Sequence, residues 1–169
     1  MVTEDLEKIK TRRSIRKFKG GEVTDEQIKE ILDCAMQAPS AVNAQPWHFV
    51  VIRNKLNDIA RIHPYAKMAS QASVAIMVCA EPAKEKIPGF FPQDLAAATQ
   101  NILLAAHSLG LGSVWCGIYP NDELVEKFKS LFNIPEHITP FSVVPMGYPA
   151  ETPEKPQRYK KEKVHWDKW

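Results

Sequence analysis

With 169 residues, 44% of them hydrophobic and 25% charged, the chain has the composition of an ordinary soluble globular protein and the length for one hydrophobic core. Its 22 basic residues against 20 acidic ones leave a formal net charge of +2, too balanced for a protein of nucleic acid or membrane surfaces. The 3 cysteines, Cys34, Cys79 and Cys116, form no CxxC pair and have no histidines at zinc-ligand spacing, so neither a disulfide framework nor a metal site is indicated and a reducing cytoplasm suits them.

The N-terminal MVTEDLEKIK is charged and amphipathic, reads as a short opening helix, and lacks the apolar centre of a signal peptide. No apolar stretch is long enough to span a bilayer, so secretion and membrane insertion are not expected. Next comes TRRSIRKF, Thr11 to Phe18, which gathers Arg12, Arg13, Arg16, Lys17 and the Ser14 hydroxyl in one turn-sized run. Arginine forks donate paired, geometrically fixed hydrogen bonds to phosphate oxygens, and a small hydroxyl and backbone amides can fill the remaining acceptor positions. Taken alone, such a run is most often a solvated face, and less often a nucleic-acid contact or a targeting signal; the nucleic-acid reading is the rival kept. The second alternative lacks interleaved aromatic residues and an overall basic excess.

Thr24 to Ala38 carries Ile28, Ile31, Leu32 and Ala35 at helical spacing, opens with a Thr24/Gln27 capping box, and should stop before Pro39. The polar loop Ser40 to Gln45 then leads into the strand-like Trp47 to Arg53. Ser73 to Ala80, Ser113 to Tyr119 and Pro140 to Met146 also have strand length and composition. Helical stretches are expected at Lys55 to Ile62, Tyr65 to Gln71 and Asp122 to Phe132. Pro92 to Leu109 is apolar on nearly every face and calls for burial all round, either in an intramolecular core or partly under a second subunit, with Gly110 and Gly112 ending it. After Tyr148, prolines at 149, 153 and 156 break regular structure. Trp166 and Trp169 are costly to leave in water, which favours an arm packed on a partner over a disordered tail. The pattern is α+β.

Four segments in order, TRRSIRKF, APSAVNAQPWHF, GLGSVWCG and MGYPAETPEKPQR, resemble the flavin-binding elements of the nitroreductase family of small FMN-dependent oxidoreductases. In that family Arg-Arg-Ser-x-Arg and Pro-Ser-x-x-Asn-x-Gln-Pro-Trp segments recur at about this separation. The resemblance runs over nearly the whole chain, which lacks a long insertion between the central helix and the third strand. It implies a central, mostly antiparallel sheet flanked by helices, one domain over residues 1–169 with 148–169 as an extended C-terminal arm, and a domain-intertwined homodimer.

By the same resemblance, Arg12 and Ser14 hold the FMN phosphate and ribityl end, Arg13 assists, and Arg158, with Lys155 near it, closes the phosphate site. Arg16 supplies the cation that reduced flavin needs near N1 and the C2 carbonyl. Pro39, Ser40, Ala41, Asn43 and Gln45 offer hydroxyl and amide groups to the ribityl chain and ring edge, from the second subunit. The backbone of Val114, Trp115, Cys116 and Gly117 runs along one flavin face. His63 and Tyr65 are candidates for the border of the substrate pocket, and Cys116 has no basic sequence neighbour to make it a redox thiol. No GxGxxG follows a strand, so NAD(P)H would be a transient substrate. The implied activity is ping-pong hydride transfer through FMN to a nitroaromatic or quinone, with no catalytic side chain named and a non-catalytic flavin carrier as the alternative.

Overall fold

A computed structural model describes residues 3–169. Met1 and Val2, which open the expected first helix, lie outside the described residues.

Among the described residues there are five α-helices: α1 (Glu4–Thr11), α2 (Asp25–Met36), α3 (Leu56–Ile62), α4 (Phe91–Ser108) and α5 (Asp122–Phe132). The strands are β1 (Phe18–Lys19), β2 (Trp47–Ile52), β3 (Val74–Ala80), β4 (Gly112–Ser113), β5 (Cys116–Gly117) and β6 (Thr139–Pro149). They form one sheet in the order β1-β6-β3-β2, and β4 and β5 also pair with β6. All of these pairings are antiparallel; a lone bridge from Ser14 to Ser113 is parallel.

Strand β3 is buried from end to end, and its two-residue period divides the core. Val74, Ile76, Val78 and Ala80 face α2 and α4, while Ala75, Met77 and Cys79 face α3 and α5. Fully buried Ile31, Leu95, Ile102 and Ile76 on the first side each contribute about 1.5–3 kcal/mol relative to exposure. Burial in the second layer pushes the Cys79 thiol up to about 12.

The capping box of α2 forms as expected: Thr24 N donates to Gln27 Oε1 at 3.0 Å and Gln27 N to Thr24 Oγ1 at 3.2 Å. Helix α5 starts on the Asn121 side chain and closes on a left-handed Asn133. Four expectations change. Tyr65 to Gln71 is a 3-10 turn over Lys67–Gln71. Ser113 to Tyr119 is not one strand but two dipeptides, because only β4 and β5 form a regular ladder with β6, while Val114, Ile118 and Tyr119 donate single amides to it out of that register. Helix α4 is not covered all round within its own chain, since Ala97, Leu104 and Ala105 are only half covered and Ser108 is exposed, which sets aside the purely intramolecular alternative and leaves a second subunit as the other. Tyr148 and Pro149 still pair with β1, so irregular chain starts at Ala150 and not at 148.

Candidate active site

Residues 12–16 connect two cavities. At Arg12 and Arg13 the chain leaves α1, then Ser14 bridges Ser113, and Ile15 N donates to the Ser113 carbonyl at 3.0 Å. Gly112 permits this approach, because a Cβ there would lie 2.7 Å from Ile15 Cγ2. The Glu151 carboxylate accepts from the amides of Arg16 at 2.5 Å and Lys17 at 3.1 Å, which pins the strand end against the start of the arm.

The first cavity, of ≈ 610 Å³, is lined by Lys10, Arg12, Arg13, Lys155 and Arg158 together with Ile9, Pro156, Gln157 and Tyr159. No carboxylate lines it; Glu7, the nearest acid by its contacts, is engaged by the Lys155 ammonium and sits below its ordinary value for that reason first. Burial, followed by the charges of Arg158 and Arg13, lowers the Arg12 guanidinium below its usual range. Arg13 donates from Nε to the Glu154 carbonyl at 3.0 Å and from Nη1 to the Arg12 carbonyl at 2.5 Å, yet its buried Nη2 has no partner among the described residues. A buried N–H without an acceptor is expensive, and guanidiniums crowded together repel. An oxyanion placed among them removes both costs.

Arg13 also reaches a smaller cavity of ≈ 230 Å³ with His107, Gly110 to Ser113 and Pro149. There the Thr11 hydroxyl donates to Glu7 O at 2.8 Å, so the His107 Nε2–H donates to Thr11 Oγ1 at 3.0 Å. Burial, then Lys8, Arg12 and Arg13, lowers the His107 pKa below its ordinary value.

A second large cavity, of ≈ 450 Å³, is the cleft formed by Arg16, the backbone of Val114 to Gly117, and His63, Tyr65, Lys67 and Met68. A Cβ at Gly117 would meet nothing within 4 Å, so protein packing does not require glycine there and open space lies before its Cα. His63, 1% exposed, joins the two walls: Tyr65 N donates to its Nδ1 at 3.1 Å, which puts the ring proton on Nε2, donated to the Gly117 carbonyl at 2.8 Å. The Cys116 thiol donates to Tyr65 O at 3.8 Å, and burial pushes it up to about 11 despite the opposing pull of Arg16. It is a protonated, structural thiol at neutral pH.

Pro39 to Gln45 lines neither cavity. Val42, Asn43 and Gln45 all have positive φ, near 54°, 53° and 50°, a conformation that is strained above all for β-branched Val42. Two devices hold it. Ser40 Oγ accepts from Gln45 N at 2.9 Å, which leaves its own O–H to offer a ligand, and Asp94 Oδ1 accepts from Ala41 N at 2.9 Å. Asp94 is 5% exposed in the first turn of α4, where the helix dipole favours its charge, and its Oδ2 has no partner among the described residues.

Thus the structure gathers Arg12, Arg13 and Arg158 in one cavity and Arg16 with Val114, Trp115, Cys116 and Gly117 in another. Ser14 lies between them on the Ser113 bridge, while Pro39, Ser40, Ala41, Asn43 and Gln45 stand apart. Sequence reading missed Lys67, Met68 and Asp94. An acid inside the apolar run of α4 was the available signal for Asp94; nothing in the sequence marked Lys67.

The model of the Nitroreductase family matches residues 9–75 and 62–148. The chain belongs to the nitroreductase family. A Methanothermobacter thermautotrophicus family member, provisionally named NADH dehydrogenase/NAD(P)H nitroreductase, is 55% identical over 166 residues, covering 97% of this chain and 87% of that protein. The crystal structure of a Bacteroides thetaiotaomicron protein with the same provisional name superposes with a TM-score of 0.94 at 40% identity, covering 99% of both chains. A nitroreductase-type protein from Desulfovibrio desulfuricans, crystallised in complex with FMN, is 30% identical with a TM-score of 0.85, covering 99% of this chain and 98% of its own. Family membership agrees with the α+β architecture and with the order of the four flavin-type segments.

Proposed function

We propose that this nitroreductase-family chain is an NAD(P)H-dependent oxidoreductase that holds FMN and reduces small acceptors such as nitroaromatics or quinones. The observation that carries the reading is the convergence of Arg12, Arg13 and Arg158 without a carboxylate, with Arg13 Nη2 buried and unpartnered. A dianionic phosphate fits that donor set. FMN, when bound, supplies the two-electron chemistry, accepting a hydride from the nicotinamide and passing it to the acceptor.

The chain's own residues do the rest. Arg12, Arg13 and Arg158 bind the phosphate, Ser14 serves the ribityl end, and Arg16 places a fixed cation where negative charge gathers on reduction. The Val114 to Gly117 backbone, braced by His63, forms a flat wall for the ring. One open cleft serves donor and acceptor in turn, giving ping-pong kinetics in which NAD(P)H leaves before the acceptor enters.

Pro39, Ser40, Ala41, Asn43 and Gln45 complete the site from a second copy in a homodimer. This assignment is supported by their separation from the arginine cavities, by the half-covered face of α4 and by an arm that exposes Trp166 at 84% and Trp169 at 99%. Residues 1–169 act as one domain with the arm as its exchange element, and the unpaired cysteines suit the cytoplasm.

Purified protein should carry flavin absorption bands that bleach on anaerobic addition of NADH or NADPH and return on addition of a quinone. Double-reciprocal plots should be parallel. Bands that resist bleaching would identify a flavin carrier, and a colourless protein that FMN does not load would overturn the reading.

A further inference from the structure

We infer that the cleft selects aromatic anions as acceptors, nitroarenes or quinones bearing a carboxylate or sulfonate, and that Lys67 is the residue that reads the anionic group. This deepens the proposed flavin-dependent activity and rests on it. The cleft presents two cations, Arg16 and Lys67, and no acid among its lining residues. The nearby Glu151 is spent on the amides of Arg16 and Lys17 and lines the neighbouring small cavity instead. His63 adds no charge, because its Nδ1 accepts the Tyr65 amide.

Lys67 shares its lack of a partner among the described residues with other surface lysines such as Lys19 and Lys29, and differs from them in lining the cleft. Lys8, Lys84, Lys127, Lys129 and Lys155 each pair with a glutamate, whereas the Lys67 ammonium has no hydrogen bond or ion pair among the described residues. Its backbone is nonetheless fixed: it lies on the 3-10 turn between fully buried Ala66 and Ala69, with Ala69 N donating to Ala66 O at 2.9 Å. A fixed stem with a free ammonium, in a cleft also lined by Tyr65, matches a planar ligand with a charged substituent. Arg16 is committed to the flavin edge in the proposed site, which leaves Lys67 to the second substrate. Both an anionic acceptor and the phosphates of NAD(P)H could exploit it, and ping-pong kinetics separates the two because kcat/KM for each substrate reports its own half-reaction.

The test compares 4-nitrobenzoate, 4-nitrobenzyl alcohol and 4-nitrobenzyl-trimethylammonium, which share ring and nitro group and differ in charge. Binding to the oxidised flavoprotein, followed by flavin absorbance, should be about tenfold tighter for the benzoate than for the alcohol and weakest for the cation. That spread should shrink when salt is raised from about 20 mM to about 500 mM. Lys67→Gln should shrink the benzoate-to-alcohol affinity ratio severalfold, with a larger loss of kcat/KM for the benzoate than for the alcohol, NADH or NADPH. Equal affinity for all three compounds would overturn the inference. A loss in Lys67→Gln confined to NADH or NADPH would do the same, by giving Lys67 to the donor. The binding arm needs no turnover, so selective anion binding without reduction of any of the three would sink the proposed activity and leave the charge preference standing.

Discussion

Arg12 to Arg16 and Pro39 to Gln45 are short polar segments of similar length, each following a helix, and the fold treats them in opposite ways. The first is threaded under its own chain: Ser113 takes its backbone, Glu151 and Glu154 bind it from the arm side, and its side chains fill two cavities. The second stands away from both cavities, with Pro39, Asn43 and Gln45 exposed, yet it is held in a strained left-handed path by Asp94 and Ser40. Strain maintained by a buried carboxylate, in a segment that lines neither arginine cavity, marks a loop shaped for something beyond its own packing. In the proposed site one half is finished within the chain, and the other is assigned to a second copy.

The strongest way to break this comparison is dilution. If Ser40, Asn43 and Gln45 of a second copy contribute about 1 kcal/mol per hydrogen bond, a separated protomer should bind FMN roughly a hundredfold more weakly. Flavin release and dissociation should then coincide across a concentration series followed by flavin fluorescence and light scattering. A flavin-loaded monomer would return Pro39 to Gln45 to a site within one chain.

The arginine half is sharpened by Arg158→Ala. Removing one charged hydrogen-bond donor should weaken FMN by roughly tenfold to a hundredfold, since such bonds contribute about 1.5–3 kcal/mol. Riboflavin, which lacks the phosphate, should bind wild type and variant alike in a fluorescence titration. Equal FMN affinity would take Arg158 out of the site.

The smallest effect concerns His107, beside Arg13 in the small cavity. Its pKa lies below the ordinary 6.5 through burial first and then Lys8, Arg12 and Arg13. As pH falls through about 6.5 the unfolded chain therefore takes up the proton before the folded one, so stability is full above that window and declines below it until the folded value is passed. Thermal melts between about pH 7.5 and 5 should show this slope, and His107→Gln should flatten it. Phosphate bound beside Arg12 and Arg13 offsets their repulsion, so FMN should move the His107 titration upward in NMR spectra. No movement would place the anion elsewhere.

Local signals made much of the fold readable. The Thr24/Gln27 box and apolar spacing located α2, the helical stretch from Asp122 to Phe132 located α5, and β-branched runs marked β2 and β3. The candidate site was readable in part from residue types, because the guanidiniums of Arg12, Arg13 and Arg16 suit an anion by their chemistry, while the flavin assignment came from the family resemblance of the four segments.

What the sequence by itself determined was therefore each short-range element and the chemical inventory: caps, periodicities, a cluster of cations, a polar loop. Tertiary structure alone decided which of these meet. It split Ser113 to Tyr119 into two pairings, since strand extent depends on where β6 offers partners and not on the segment's own composition. It gave a charge-balanced chain a cavity without a carboxylate, turned Val42 left-handed through Asp94, 52 positions away, and set Lys67 opposite Arg16. Contacts between residues far apart in the chain depend on packing geometry, which no local pattern encodes, and so the arginines could be named from the sequence while their division between two cavities, and the company of Lys67, could not.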